Sequence, residues 1–153
     1  MDAPVAAARP SRIPWWALAT GLSLLALSFI SGLVIWGAQI VNARFDGVDN
    51  TWRIEARPWV LLHGALNPFL CGFLGYLTSI HIRLGWKMRA NRWSGVGMVA
   101  TFAGLVVSGM ALAYAGAQWL REALVWTHRV LGLALPVVLA VHWMGARRWL
   151  KKL

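Results

Sequence analysis

Residues 123–145 read ALVWTHRVLGLALPVVLAVHWMG, an apolar run with one charged side chain, Arg129, and two histidines, His128 and His142. Such a run meets the requirement of about 20 apolar residues for crossing a hydrocarbon layer of about 30 Å. Three similar stretches lie upstream, at residues 15–41, 59–82 and 95–118. Because backbone groups find no water at that depth, each stretch is expected to be a helix. The sequence therefore predicts an all-α fold: an integral membrane four-helix bundle formed by residues 1–153 as a single domain.

The composition of the 153-residue chain agrees with membrane insertion. Hydrophobic residues make up 59% and charged residues 13%, which lies outside the range of soluble globular domains. Most of the eleven tryptophans flank the apolar stretches, where indole rings favour the membrane interface. The chain has no Walker loop, dinucleotide-binding glycine motif or nucleophile elbow. The basic C-terminal run is interpreted as an anchor to anionic lipid rather than a nucleic-acid contact.

Basic residues predict the orientation of the bundle. The chain has 15 Lys and Arg residues against 5 Asp and Glu, a formal net charge of +10. Ten basic residues lie in the N-terminal tail, the second loop and the C-terminal tail, and the other five share the opposite side with most of the acidic residues. By the positive-inside rule both termini are expected to be cytoplasmic, N-in and C-in. The ten are Arg9, Arg12, Arg83, Lys87, Arg89, Arg92, Arg147, Arg148, Lys151 and Lys152.

All four histidines fall in the second and fourth stretches: His63, His81, His128 and His142. Eighteen residues separate the first two and fourteen the last two, so at about 100° per residue each pair lies on one helix face. Both stretches run in the same direction, which places His63 at the depth of His128 and His81 at that of His142. The axial rises of about 27 Å and about 21 Å differ. Prolines between the histidines of each helix, Pro68 and Pro136, are expected to kink the helices and absorb the difference.

These ligands favour haem over other metal sites. A single cysteine, Cys71, excludes a disulfide framework, a cysteine-held iron–sulfur cluster and covalent haem attachment. Zinc or non-haem iron requires three or four protein ligands close together, whereas haem iron requires two axial ligands from the protein. Two b-type haems, one between His63 and His128 and one between His81 and His142, would use all four imidazoles. The alternative is a haem-free structural subunit whose histidines bond across helices.

The segments THRVLG at 127–132 and VHW at 141–143 resemble the haem-bearing helices of di-haem membrane cytochromes b. That superfamily includes the cytochrome b subunits of nickel–iron hydrogenase and formate dehydrogenase and related small quinone-linked cytochromes. The resemblance covers the four-span architecture and the last helix best. The eighteen-residue spacing departs from the family's common one, and the first stretch lacks a histidine that several members use.

The resemblance implies a function for the chain. It would carry electrons between the quinone pool and a haem- or metal-containing redox partner at the outer, periplasmic face, as the membrane-anchor subunit of a larger hetero-oligomer in a bacterial inner membrane. The alternative is a stand-alone quinone-linked oxidoreductase acting on superoxide or ferric iron, with Arg53 and Arg57 steering an anion. Since both axial positions are filled, no residue is predicted to be catalytic.

Residues beside the histidines have two interpretations each. Arg129, Arg83 and Lys87 are placed to meet haem propionates or simply to snorkel to the interface. Hydroxyls near the histidines either orient an imidazole or bond their own helix backbone; these belong to Thr78, Ser79 and Thr127. Glycines of the third stretch suit close helix packing, so that stretch is interpreted as scaffold. Glycines near the histidines would leave room for a macrocycle; these are Gly64, Gly72, Gly75 and Gly132.

Overall fold

A computed structural model describes residues 13–45, 54–87 and 91–150, except for the side chains of residues 149 and 150. These ranges are helical and contain no strand. Four helical segments are long and apolar enough to cross a membrane, which confirms the predicted all-α class and its four spans: Trp15–Arg44, Arg57–Lys87, Arg92–Tyr114 and Gln118–Arg148. Several basic residues used to predict orientation lie outside the described ranges: Arg9, Arg12, Arg53, Arg89, Lys151 and Lys152.

The helices are α1 (Trp15–Arg44), α2 (Arg57–Leu77), α3 (Arg83–Lys87), α4 (Arg92–Tyr114) and α5 (Gln118–Leu150). A π-helical turn, Thr78–Ile82, joins α2 to α3 without a break. We call the end of the bundle where α1 begins and α5 ends the basic end, because α3, the start of α4 and the end of α5 all carry basic side chains there. The described basic residues of this end are Arg83, Lys87, Arg92, Arg147 and Arg148.

Close backbone packing is concentrated in two antiparallel helix pairs, α1 with α2 and α4 with α5. In the first pair Gly21 lies against Phe73, and the rings of Trp16 and Tyr76 are 5.9 Å apart. In the second pair Gly104 lies against Leu131, whose Cδ1 would be 2.7 Å from an added Cβ. Since α2 and α5 belong to different pairs, the space between them is where the two halves of the bundle face each other.

Gly21 is required by the packing of α1 on α2. It is buried, and a Cβ there would collide with the Phe73 ring. Replacing Gly21 with alanine is expected to lower the free energy of unfolding by about 1–3 kcal/mol, as for an overpacked core. Thermal denaturation in detergent measures it. Gly37 is the matched control, since a Cβ there meets nothing within 4 Å; its alanine variant should be as stable as the wild type or more so. Equal stability of the two variants would contradict the assigned packing.

The start of α4 is fixed to the end of α5 by Asn91. Asn91 has φ 47°, in the left-handed region that asparagine tolerates better than most residues. Its Nδ2 donates to the backbone oxygen of His142 over 2.8 Å. Gly145 makes room for it, because a Cβ there would lie 2.5 Å from Asn91 Oδ1. The turn that starts α4 is thus built on the helix that carries His142.

The third span is displaced toward the N-terminus from the predicted 95–118. Helix α4 ends at Tyr114, and Ala115 is extended with ψ 104°. Helix α5 begins at Gln118. The apolar stretch in the sequence therefore includes the short connection between α4 and α5, which contains Gly116. Pro68 and Pro136 lie inside α2 and α5, and both helices continue through them.

Few large side chains are buried in the bundle. Among the described residues, the buried hydrophobic side chains are Ala17, Ala38, Leu66 and Leu135. Closely packed protein interiors bury many more large apolar groups than this. Close backbone packing is concentrated within each helix pair rather than between α2 and α5.

Candidate functional site

The structure brings the four histidines together as two pairs that bridge α2 and α5. The ring centroids of His63 and His128 are 6.1 Å apart, and their planes meet at 79°. The ring centroids of His81 and His142 are also 6.1 Å apart, with planes at 80°. The pairing is the one expected from depth, with the His81 pair at the basic end and the His63 pair toward the opposite end.

A π-helical turn carries one of the four histidines. His81 lies within Thr78–Ile82, directly before α3. Such a turn takes up an extra residue in a helix and alters the direction in which the following side chains point. The expectation of five regular turns between His63 and His81 did not include this turn. The rings of His63 and His81 nevertheless both meet imidazoles of α5, as the shared face predicted.

The spacing of the rings fits one metal ion between each pair. A metal–imidazole bond of about 2 Å, plus about 1.1 Å from the ligating nitrogen to the ring centroid, places two opposed imidazoles about 6.2 Å apart. Both pairs lie at 6.1 Å. The described residues contain no group of three or more His, Cys, Asp or Glu that could hold a metal ion. Two imidazoles are too few for a structural zinc site but are the axial set of a haem.

Three of the four imidazoles are held by serines of a neighbouring helix. His63 Nδ1 lies 3.0 Å from Ser31 Oγ on α1. On α4, Ser108 Oγ is 2.9 Å from His128 Nδ1. The corresponding contact between Ser94 Oγ and His142 Nδ1 is 3.1 Å. Helices α1 and α4 therefore orient the imidazoles that α2 and α5 carry.

The serine hydrogen bonds determine which ring nitrogen carries the proton. Ser31 Oγ donates to Ser28 O over 2.9 Å, and Ser108 Oγ donates to Gly104 O over 2.6 Å. Ser94 Oγ likewise donates to Asn91 O over 3.1 Å. A hydroxyl has one hydrogen to give, so a serine that gives its hydrogen to the backbone accepts from the ring. We infer that Nδ1 carries the proton in all three histidines and that Nε2 keeps its lone pair.

His63 gives this inference an independent check. Its Nδ1 is also 3.0 Å from the backbone oxygen of Ser28. A carbonyl oxygen accepts and never donates, so Nδ1 of His63 must be the donor. A metal-bound histidine usually donates its other N–H to such an acceptor, which fixes the tautomer and raises the basicity of the ligand.

A glycine lies next to each of these serines and faces the same imidazole, most closely at Gly109. A Cβ on Gly32 would be 3.4 Å from His63 Cε1, and one on Gly109 would be 3.3 Å from His128 Cε1. The corresponding distance from Gly95 to His142 Cε1 is 3.9 Å. We call these three dipeptides the Ser-Gly cradles: Ser31-Gly32, Ser94-Gly95 and Ser108-Gly109.

The sequence analysis did not predict the Ser-Gly cradles, although the sequence contains a pattern that indicates them. The dipeptide Ser-Gly occurs three times in the chain, once in α1 and twice in α4. The two copies in α4 are fourteen residues apart, the same separation as His128 and His142 on α5. The interpretation of the third span as scaffold therefore omitted its contact with both histidines of α5.

The hydroxyls proposed from the sequence do not orient an imidazole. Thr78 Oγ1 donates to Leu74 O and Ser79 Oγ donates to Tyr76 O, each over 2.7 Å. Thr127 Oγ1 donates to Ala123 O over 2.8 Å. All three hydroxyls satisfy their own helix backbone, which was the other interpretation of these residues.

His81 differs from the other three histidines. It is exposed, whereas the others are half-buried, and none of the described hydrogen bonds involves its ring. Ser31 lies opposite His63 in the antiparallel α1–α2 pair, so the residue of α1 opposite His81 would precede Trp15, where α1 begins. Helix α1 does not extend as far along the bundle as His81, so α1 supplies no Ser-Gly cradle for this ring.

Two arginines lie near the imidazole pairs. Arg129 follows His128 and donates to Gln39 Oε1 on α1, and its guanidinium lies about 5 Å from the Trp36 and Trp126 rings. It therefore links α5 to α1. At the basic end, Arg92 donates to Trp86 O over 2.6 Å, while its Nε is buried and has no partner in the part of the chain that the structure describes. Sequence reasoning placed Arg92 only on a charged loop.

Comparison with protein-family models, curated proteins and solved structures gives no match for this chain. The fold and the site define it as an all-helical chain with four apolar helices and two bridging pairs of imidazoles.

Proposed function

We propose that the chain is a b-type di-haem membrane cytochrome that carries electrons between the quinone pool and a redox partner protein at the outer face of a bacterial inner membrane, as the anchor subunit of a larger oxidoreductase. The observation that carries the proposal is the duplicated imidazole pair, with the same spacing of 6.1 Å at two depths. The superfamily resemblance of α5 agrees with it.

The residues present fit two haems. Each pair offers two imidazoles, and the tautomer of three of them leaves Nε2 free to bind iron. A flat macrocycle needs space around the axial ligands, and a Cβ on Gly64, Gly72 or Gly75 would meet no other atom within 4 Å. The Nε of Arg92, which is buried and has no partner among the described residues, suits a carboxylate such as a propionate.

In this function His63 and His128 would hold one haem, and His81 and His142 the other. Haem supplies one-electron exchange when bound. The chain's own residues do the positioning: the Ser-Gly cradles of α1 and α4 fix three rings, and their serines accept the Nδ1 protons. With two protein ligands on each iron, the site is built for electron transfer rather than for substrate chemistry.

The proposed orientation places the basic end at the cytoplasm. Among the described residues, that end carries Arg83, Lys87, Arg92, Arg147 and Arg148. The opposite end carries acidic side chains as well as basic ones, including Glu55 and Glu122. This asymmetry follows the positive-inside rule, and it places His63 and His128 nearer to an outer redox partner.

Ser108 is expected to strengthen haem binding at the His63–His128 pair. Replacing Ser108 with alanine leaves His128 Nδ1 without its serine acceptor, and loss of such a partner typically lowers metal affinity roughly 10- to 100-fold. Haem titration of the apoprotein measures the change. Thr101 is the matched control: it is also buried on α4 and donates to a backbone oxygen four residues back, Gly97 O. Equal losses in the two alanine variants would contradict an orienting role for Ser108.

Haem content and the visible spectrum test the proposal. The purified chain should contain about two haems per protein with a low-spin spectrum, because each iron has two imidazole ligands. A haem-free preparation that remains folded would refute the proposal and leave the structural-subunit alternative. The chain alone should also fail to pass electrons from superoxide to quinone or from quinol to ferric iron, and success in either reaction would favour the stand-alone oxidoreductase.

A further inference from the structure

We propose that His81 is the replaceable ligand of the four, so that the haem site at the basic end accepts a small neutral ligand of ferrous iron, such as carbon monoxide, in place of His81. The inference rests on the proposed function, since it needs haem at the His81–His142 pair. It assigns the binding of a small ligand to one of the two sites.

The first observation is the missing cradle. The rings of His63, His128 and His142 each have a serine oxygen within 3.1 Å of Nδ1, whereas His81 has none among the described hydrogen bonds. A second hydrogen bond on the far side of a metal-bound imidazole fixes its orientation and raises its basicity. Among the described residues, no side chain holds the His81 ring by such a bond.

The second observation concerns that backbone. His81 lies in the π-helical turn Thr78–Ile82, where the backbone hydrogen-bond pattern differs from that of the helices on either side. Neither hydroxyl of that turn is available to hold the ring, because Thr78 and Ser79 bond Leu74 O and Tyr76 O. A change between a π turn and a regular α turn moves a side chain around the helix axis, which is the motion that withdrawal of His81 requires.

The third observation is exposure. His81 is exposed, and α1 begins at Trp15, short of the level of this ring. Among the described residues, the His81 ring is therefore the least enclosed of the four imidazoles. On the opposite side of the same site, His142 is held by Ser94, and its backbone oxygen accepts from Asn91. The two ligands of this one site are thus held very unequally.

With haem held at this pair, His81 would give up its place on the iron to carbon monoxide, and His142 would keep its own. No electron or proton would be transferred. The pair at the opposite end should not exchange, because His63 and His128 both rest in Ser-Gly cradles.

The experiment adds carbon monoxide to the dithionite-reduced protein after its haem content has been measured. About half of the haem should form the carbon monoxide complex, at a rate that levels off with ligand concentration because departure of His81 limits it. In the H81A variant the rate should rise in proportion to ligand concentration. The H63A variant, which keeps only the basic-end haem, should bind carbon monoxide at its remaining haem.

The outcomes separate this inference from the proposed function. A chain with two haems that binds no carbon monoxide retains the proposed function and overturns the exchange. Binding in the wild type that H63A loses would place the exchange at the wrong end and overturn it too. If H81A does not retain its haem, the H63A result and the levelling of the wild-type rate still decide the question. A preparation without haem refutes the proposed function itself.

Discussion

Replacing His142 with alanine should lower the haem content from about two per protein to about one, because it removes one of two axial ligands from a single site. The remaining haem should keep its low-spin spectrum, since His63 and His128 are untouched. Pyridine haemochrome analysis of the purified variant gives the ratio. Val141, the exposed neighbour of His142, provides the matched control, and V141A should retain both haems.

The complementary variant tests the independence of the two sites. H128A should lose the other haem, and H128A/H142A should lose both. Retention of two haems in H142A would contradict the assignment of the basic-end site. Loss of the same spectral component in H128A and H142A would contradict the division of the four histidines into two pairs.

Replacing Gly109 with valine should empty the His63–His128 site. An added Cβ would already lie 3.3 Å from His128 Cε1, and the two methyl groups of valine extend beyond it, so the ring must leave its position beside Ser108. The expected haem content is about one per protein, with the loss confined to the site opposite the basic end.

Gly97 is the matched control for this substitution. It lies on the same helix, and a Cβ there meets nothing within 4 Å. G97V should therefore keep both haems, and equal haem loss in G97V and G109V would show that valine disturbs α4 in general. Circular dichroism of both variants confirms that they remain helical.

Much of the fold could be predicted from the sequence because hydropathy and length dictate membrane helices. The α4 end was missed, since hydropathy does not register the break at Ala115–Ala117 between two apolar helices. The pairing of histidines by depth followed from helix direction alone. The π turn that carries His81 could not be predicted, because it depends on local backbone hydrogen bonds that no side-chain periodicity reveals.

The Ser-Gly cradles depend on contacts between helices rather than on local sequence. Ser31 acts on a histidine in the next span, and Ser108 acts on one twenty residues away. Their effect requires the register of each antiparallel pair, which hydropathy leaves undetermined. Once the register is known, the equal fourteen-residue intervals in α4 and α5 explain why both histidines of α5 have a serine and a glycine beside them.

The most direct test of the central claim is an electron paramagnetic resonance spectrum of the oxidised protein. Imidazole planes that meet at 79° and 80° predict two ferric low-spin haems, each with the strongly anisotropic signal of nearly perpendicular axial ligands. A high-spin signal, or the rhombic three-line signal of parallel imidazoles, would contradict the geometry of the two pairs. A folded protein without any haem signal would contradict the claim that these histidines bind haem.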